Sequence, residues 1–189
     1  MIKEIVNSIA STGVLKSSQY LFKLDFPAFL INEFAGQYKI DERFVSRIER
    51  VSLPADNTTV EEYPSQSQNT LVISSDRDKP DYLSFSIILS EDMREREYFE
   101  VWQEFIYGKE DFSFQPKFRD LYLSPRATIE ILNRRDQLIK SYIFKDLFPI
   151  TISETEFSYG STDEYATVTI TMAYSSWYRE RPRFAPTRL

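Results

Sequence analysis

The chain has 189 residues, 42% of them hydrophobic and 15% aromatic, and its formal net charge at pH 7 is −6. It contains neither cysteine nor histidine, which excludes disulfides, Ser–His and Cys–His catalysis and ordinary zinc sites. The net negative charge disfavours a nucleic-acid-binding protein, because phosphate binding requires clustered Lys and Arg.

The N-terminal region predicts a short helix followed by a strand. Apolar residues recur at helical spacing over residues 1–13, so we expect an amphipathic helix that docks on the body of the protein or on a neighbouring subunit. Residues 20–26 alternate between apolar and charged side chains, which predicts a strand that ends before Pro27. We see no run of 18 apolar residues and no signal peptide, and therefore expect a soluble, unexported protein. The apolar positions of the N-terminal helix are Ile2, Ile5, Val6 and Ile9.

The middle of the chain predicts strands separated by polar connections. Residues 28–41 are apolar but irregular, and the strand-like pattern that follows them ends at Pro54. Residues 55–69 are polar and predict a long loop or a protruding hairpin, and residues 76–81 predict a charged turn. We expect strands over 43–54, 71–75 and 82–89.

Residues 90–108 predict the main helix. Ser90 is a suitable N-cap, acidic residues follow it in the first turn, and Gly108 marks the end. Phe99 and Trp102 lie on one stripe of this helix, which favours a core-facing surface over a cofactor site.

Residues 126–177 predict the closing strands of a sheet. Apolar residues and threonines alternate over 165–174, so the apolar side suits a core and the uncharged threonine side suits a lumen wall or a ring interface. Residues 178–189 contain four Arg and two Pro and form either a loose tail or an extended arm on an acidic neighbouring surface. The expected strands are 127–132, 137–144, 148–157 and 165–177.

Two acidic groups offer candidate chemistry, each with a simpler explanation. Glu154 and Glu156 are two apart on a predicted strand, so their side chains would share a face about 7 Å apart, near the spacing of inverting glycosidases. A solvated strand face explains the same pair. The charged turn 76–81 offers three aspartates to calcium, but it lacks the glycine and closing glutamate of an EF-hand loop and also carries Arg and Lys. We predict no catalytic, cofactor or metal site.

Several motifs of this sequence resemble those of a known protein family when their order and spacing are taken together, although no single motif is specific. An aromatic helix is followed by a strand with a polar turn, a Phe–Pro segment, an acidic turn and a Thr-alternating strand that leads to a tryptophan. Together these elements resemble the tail tube protein family of contractile-tailed bacteriophages. In this sequence they are Asp92 with Phe99 and Trp102, Thr128 to Arg134, Phe148 with Pro149, Ile152 and Tyr159, Asp163 with Glu164, and Thr167 to Trp177 with Ala173 and Tyr174; upstream they include Leu21 with Phe22 and Ser52 to Pro54.

The resemblance implies a mainly β fold, an antiparallel β-sandwich or partly closed barrel with one main flanking helix and a short N-terminal helix. It implies one domain over 1–177 followed by the arm 178–189. The residues 27–42 are longer than the corresponding family hairpin, and both they and the arm would be decorations that contact a sheath or an adjacent ring.

The resemblance also implies a structural, non-enzymatic role. Hexameric rings would stack into a hollow tube within the virion, assembled in the host cytoplasm, and genomic DNA would pass through the lumen without specific binding. The expected partners are the sheath, baseplate and tail terminator proteins. A baseplate tube-initiator, a terminal ring protein and a type VI secretion tube subunit remain as alternatives with the same fold.

Two groups of residues follow from this interpretation. A negative inner surface would leave DNA mobile, and its candidate residues are Glu154, Glu156, Asp163 and Glu164. The expected packing anchors are Phe99, Trp102, Phe148, Pro149, Tyr174 and Trp177. If the ring of Trp177 is buried in the core, its replacement by Ala should lower the free energy of unfolding by about 3–5 kcal/mol.

Overall fold

This computed structural model describes residues 15, 18–34, 47–55, 57–64, 70–78, 82–108, 118–157 and 165–180, with the backbone alone for 57–64 and 70–78. Antiparallel sheet dominates and helices are few, as the sequence predicts. The elements in chain order are β1 (Tyr20–Leu24), α1 (Ala28–Phe34), β2 (Ile48–Val51), β3 (Asn57–Pro64), β4 (Thr70–Asp78), β5 (Tyr82–Ile88), α2 (Arg94–Tyr107), α3 (Arg119–Tyr122), β6 (Ser124–Leu132), β7 (Leu138–Ile152), β8 (Thr167–Ala173) and β9 (Ser176–Glu180).

The chain divides into two compact units, which the long strand β7 links. In the first unit, β1 pairs with β6, β6 with the first part of β7, and β7 with β9, all antiparallel. Alternation along β1 buries Phe22 and Leu24 opposite Ile129 and Ala127 of β6. The intervening Lys23 faces the other side and forms an ion pair of 3.1 Å with Glu130. This unit therefore has one apolar and one polar sheet face along β1 and β6.

The second unit contains the strand order β7–β8–β5–β2 and the main helix. Helix α2 lies against the apolar face of this sheet, with the ring centroids of Phe99 and Phe85 6.0 Å apart. Phe99 also stacks on Trp102 at 6.1 Å, and both rings are fully buried. Strands β3 and β4 pair as a separate two-stranded sheet. Residues 57–64 of the polar segment that was predicted as a loop or a protruding hairpin form β3, one strand of this pair.

Several element boundaries differ from the predictions. The irregular apolar segment after Pro27 is partly helical, as α1, and β4 extends through Asp78 into the predicted turn. The closing strands predicted over 137–144 and 148–157 are one strand, β7, which ends at Ile152. Its Phe–Pro pair does not break the strand, because the register shifts between Pro149 and Thr151 and proline is tolerated at a bulge.

The structure describes part of the predicted C-terminal arm and none of the predicted N-terminal helix. The predicted N-terminal helix over 1–13 lies outside the described residues. At the other end, β9 continues to Glu180 and pairs with β7, so the first three residues of the predicted arm form strand. The remainder of that arm lies outside the described residues, and the division into one domain and an arm stays a prediction. Within the described ranges, no helix is long and apolar enough to cross a membrane.

A buried carboxylate explains why the main helix begins four residues later than predicted. Ser90 does not cap the helix; its N–H and Oγ both donate to Glu95 Oε2, at 3.0 and 2.5 Å. Arg47 Nε lies 3.3 Å from the other carboxylate oxygen, and the Glu95 side chain is fully buried. Burial raises the pKa of Glu95, but the hydrogen bonds from Ser90 and the charge of Arg47 outweigh it and hold the pKa below its usual value of 4.5.

We expect Glu95→Gln to lower the free energy of unfolding at pH 7 by about 1–3 kcal/mol, because the amide cannot replace the charge-assisted bonds. A carboxyl group whose pKa is lower in the folded than in the unfolded state stabilises the folded state at pH values above the unfolded pKa of 4.5. This contribution disappears as the pH falls through the folded pKa. The difference between wild type and variant should therefore shrink on acidification, as measured by urea unfolding at pH 7 and below pH 4.5. Glu97→Gln, on the exposed side of the same helix, is the control. A difference that stays constant with pH would contradict the assignment.

The two tryptophans differ in burial, which changes the expected cost of removing Trp177. Trp102 is fully buried, whereas Trp177 is half-buried on β9, stacked on Phe144 with ring centroids 6.2 Å apart. We expect Trp102→Ala to cost about 3–5 kcal/mol of unfolding free energy, and Trp177→Ala about half as much. Guanidinium denaturation of both variants measures the two costs. An equal or larger cost for Trp177→Ala would show that the half-buried ring carries more packing than its burial indicates.

Candidate assembly surfaces

One surface of the second unit consists of hydroxyl side chains on neighbouring strands. The register places Ser84 opposite Thr171 and Ser86 opposite Thr169. Their hydroxyl oxygens are 3.1 and 3.0 Å apart, respectively, so each pair is linked by a hydrogen bond across the strands. Thr151 of β7 lies on the other side of Thr171. We call this surface the hydroxyl face; it comprises Ser84, Ser86, Thr151, Thr169 and Thr171.

The hydroxyl face exists because β8 has strict two-residue alternation. Val168, Ile170 and Met172 are fully buried on one side, while the threonines between them are exposed or half-buried on the other. The two sides predicted from the sequence are therefore present in the structure.

Charged residues are absent from the strand segments that form the hydroxyl face. Neither β5, nor β8, nor residues 148–152 of β7 contain an Asp, Glu, Lys or Arg. Arg50 of β2, opposite Ser86, is the nearest charged neighbour in the strand register. At one end of the face, Tyr82 and Phe148 flank Ala173, and Tyr82 is 58% exposed. The face is polar but uncharged, with an aromatic margin.

The structure places two of the four acidic candidates beyond the end of a strand. Glu154 and Glu156 are exposed and follow Ile152, the last residue of β7, so they do not share a strand face as predicted. The Arg96 side chain holds this segment against α2 by donating to the Ser153 carbonyl at 3.0 Å and to Thr155 Oγ1 at 2.8 Å. The other two candidates, Asp163 and Glu164, lie outside the described residues.

The six expected packing anchors fall into two groups. Phe99, Trp102, Pro149 and Tyr174 are buried, whereas Phe148 and Trp177 are half-buried. Their role as anchors stays a prediction.

No cation site is apparent in the part of the chain that the structure describes. No group of three or more acidic side chains there is arranged to hold a metal ion. Two aspartates of the predicted charged turn, Asp76 and Asp78, instead lie in β4, opposite Thr59 and Asn57 of β3. The third, Asp81, lies outside the described residues.

A second surface lies in the first unit and is apolar. Helices α1 and α3 are in contact, and three large apolar residues on or next to them are exposed. The exposed fractions are 84% for Phe118, 54% for Leu121 and 47% for Ile31. We call these residues the α1–α3 patch. Sequence reasoning missed it, because α3 is a single turn of four residues and α1 has no regular apolar period.

Comparison with known protein families decides the assignment. The model of the family described as phage tail tube protein matches residues 15–180, most of the chain. The chain belongs to the phage tail tube protein family. No match was found among curated protein sequences.

Solved structures share the tail tube fold at low sequence identity. A chain in the extended-state sheath–tube complex of the PVC extracellular contractile injection system is 13% identical, with a TM-score of 0.58 over 93% of this chain and 97% of that one. A chain in the baseplate of the anti-feeding prophage is 10% identical, with a TM-score of 0.59 over 91% and 99%. A chain in the PVC sheath/tube terminator structure has 12% identity and a TM-score of 0.55 over 88% and 96%. At these identities the comparisons show the fold.

Proposed function

We propose that this chain is the repeating subunit of a contractile bacteriophage tail tube, in which hexameric rings stack around a lumen. The observation that carries the proposal is the match of the tail tube family model over residues 15–180. The fold supports it, because nearly full-length similarity extends to a chain from a sheath–tube complex. The role is structural, and it requires neither a catalytic residue nor a cofactor.

The hydroxyl face is the surface best suited to line the lumen. DNA carries about one phosphate charge per 1.7 Å of helix axis, so a basic wall would hold it through many contacts at once. Short, uncharged hydroxyl side chains offer no such contacts and leave the genome mobile during ejection. The other side of β8 is apolar and buried in the subunit, so it is not available to line a solvent-filled lumen.

Acidic residues near this face would add repulsion. Glu154 and Glu156 are exposed at the end of β7, next to the hydroxyl face in the chain. We propose that they contribute negative charge to the inner surface, together with Asp163 and Glu164. This assignment is compatible with the net charge of −6.

The edges of the second unit's sheet provide a means of closing a ring. Among the described strands of this unit, the two edges of the sheet β7–β8–β5–β2 are β2 and the final part of β7, residues 148–152. An edge strand presents backbone groups that can pair with another chain, and six copies related by rotation would join such edges into a continuous barrel. The anti-feeding prophage baseplate, which contains a chain of this fold, was solved with 6-fold symmetry.

The partners follow from the same proposal. A sheath would surround the tube, a baseplate would begin it and a terminator would end it, within a virion assembled in the host cytoplasm. The similar folds found in sheath–tube, baseplate and terminator structures support this set of partners.

A tube-initiator or terminal ring is the second candidate function. Chains of the anti-feeding prophage baseplate and of its tube-terminating cap have TM-scores of 0.59 and 0.56, in the same range as the sheath–tube chain. The fold therefore serves all three positions. A type VI secretion tube subunit stays a prediction.

We expect the purified protein at high concentration to form hollow tubes of stacked rings in negative-stain electron microscopy, with matching high-mass material in size-exclusion chromatography. Rings that never stack would instead favour the initiator or terminal ring. A protein that stays monomeric even after addition of preformed tube seeds would contradict both. A parallel sample diluted about a hundredfold is the control, because assembly through mass action should disappear on dilution.

A further inference from the structure

The two edge strands of the second unit's sheet reach the same end of that sheet, where β2 begins and β7 ends. The carbonyl of Arg47, the residue before β2, accepts from the Ile88 N–H at the end of β5 at 2.9 Å. Ile88 is paired with Thr167, the first residue of β8. On the other edge, the Ser153 N–H donates to the Thr169 carbonyl, near the beginning of β8, at 2.9 Å. Both edges can therefore be reached from one end of the sheet.

Glu95, in the first turn of α2, is tied to the edge that β2 forms. Its buried carboxylate lies 3.3 Å from Arg47 Nε. Because the Arg47 carbonyl is itself bonded to Ile88 of β5, this ion pair holds the chain at the point where it enters β2.

Arg96, the next residue of α2, is tied to the edge that β7 forms. Its Nη1 donates to the Ser153 carbonyl at 3.0 Å and to Thr155 Oγ1 at 2.8 Å. Its Nε donates to Glu100 Oε1 at 2.6 Å within the helix, which orients the guanidinium. Hydrogen bonds from a charged donor are stronger than those between neutral groups. A single side chain thus holds two residues of the segment that leaves β7.

Ser153 allows the chain to leave the sheet without losing its last bond to β8. In a regular antiparallel pair, the carbonyl of each residue accepts from the N–H of the opposite one. Here Ser153 Oγ accepts from the Thr169 N–H at 2.8 Å. The Ser153 carbonyl accepts instead from Arg96. The side chain completes the pairing with β8, while the backbone turns towards α2.

We infer that Glu95 and Arg96 are positioning residues for ring closure, because consecutive residues of one helix hold both edges of the sheet. The inference rests on the proposed function, in which these two edges pair with neighbouring copies. The edges are three strand spacings apart, about 14 Å, and no backbone bond joins two strands over that distance. The first turn of α2 connects them through side chains.

Ring closure depends closely on the angle between the two edges. Six copies close when each turns the sheet by about 60°, and a change of about 10° per copy alters the number that closes by one. The twist between neighbouring strands varies over roughly 25° among sheets, so strand pairing alone does not hold the angle within that tolerance. A helix tied to both edges restricts the sheet to one geometry.

Arg96→Gln removes the tie to the end of β7 and leaves the buried ion pair of Glu95 in place. We expect wild-type protein to form rings of one size, and Arg96→Gln to form rings of mixed size or open arcs, because a rotation that does not close gives open assemblies. Class averages of end-on views in negative-stain electron microscopy, at equal protein concentration, measure the ring sizes. Thermal melting confirms that the variant is folded.

Glu100→Gln is the matched control for this variant. It removes the ion pair of Arg96 within the helix but keeps both bonds to the segment after β7, so its ring size should equal that of the wild type. Thr155→Val removes one of the two acceptors with little change in shape, and it should shift the ring sizes in the same direction as Arg96→Gln but less far.

Hydrogen exchange in dilute, unassembled protein tests the tie separately from assembly. We expect peptides over residues 148–157 to exchange about tenfold faster in Arg96→Gln than in Glu100→Gln, because loss of a charge-assisted bond raises the population of locally open chain. Mass spectrometry of the labelled peptides measures the two rates.

The outcomes separate this inference from the function on which it rests. Rings of wild-type size from Arg96→Gln, together with faster exchange after β7, would overturn it, because the tie would then serve the subunit alone. Unchanged exchange would overturn it as well, since the tie would not hold the segment. Wild-type protein that forms no ring even with preformed seeds would contradict the proposed function, and the inference would fall with it.

Discussion

The packing of α2 against the sheet at β5 is the interaction on which the second unit depends. Phe99 packs on Phe85 of β5 and stacks on Trp102. Every second residue of β8 is buried on the side of the sheet that carries Phe85. A shift of one residue in the pairing of β5 with β8 would exchange the apolar and hydroxyl sides of the strand. The same packing that stabilises the subunit therefore determines which side of the sheet remains exposed.

A second consequence concerns where the charges of the chain are placed. Strands β5 and β8 and residues 148–152 of β7, which form the hydroxyl face, carry no charged side chain, while the buried carboxylate of Glu95 lies at the beginning of α2. There it joins Ser90 and Arg47, and thus ties the turn before the helix to the residue that precedes β2. A paired, hydrogen-bonded charge in this position can fix local geometry without altering the potential of the exposed sheet face. The division suits a tube subunit, whose wall must be uniform from one copy to the next.

Alternation made much of the sheet predictable from the sequence. The strand β1, the two-sided strand β8 and the turn at Asn133 follow from local patterns, and the order of motifs indicated the family. Long-range contacts decided what local patterns could not. The start of α2 depends on a bond between Ser90 and Glu95, and the continuity of β7 depends on a bulge that accommodates Pro149.

The candidate assembly surfaces were only partly predictable for a related reason. The threonine side of β8 was visible as a candidate, but Ser84 and Ser86 join it only through the register with β5. Glu154 and Glu156 satisfied a strand pattern, yet β7 ends before them. The α1–α3 patch arises because the antiparallel pairing of β1 with β6 brings together segments almost 90 residues apart in the chain, a juxtaposition that no local pattern encodes.

Helical reconstruction of assembled tubes by cryo-electron microscopy tests the central claim most directly, because it shows which surface of the subunit faces the axis. The account predicts that the hydroxyl face lines the lumen, with Glu154 and Glu156 contributing to a neutral or negative inner potential. A lumen lined by other elements, or a basic lumen with the hydroxyl face and the acidic residues on the outer wall, would contradict it.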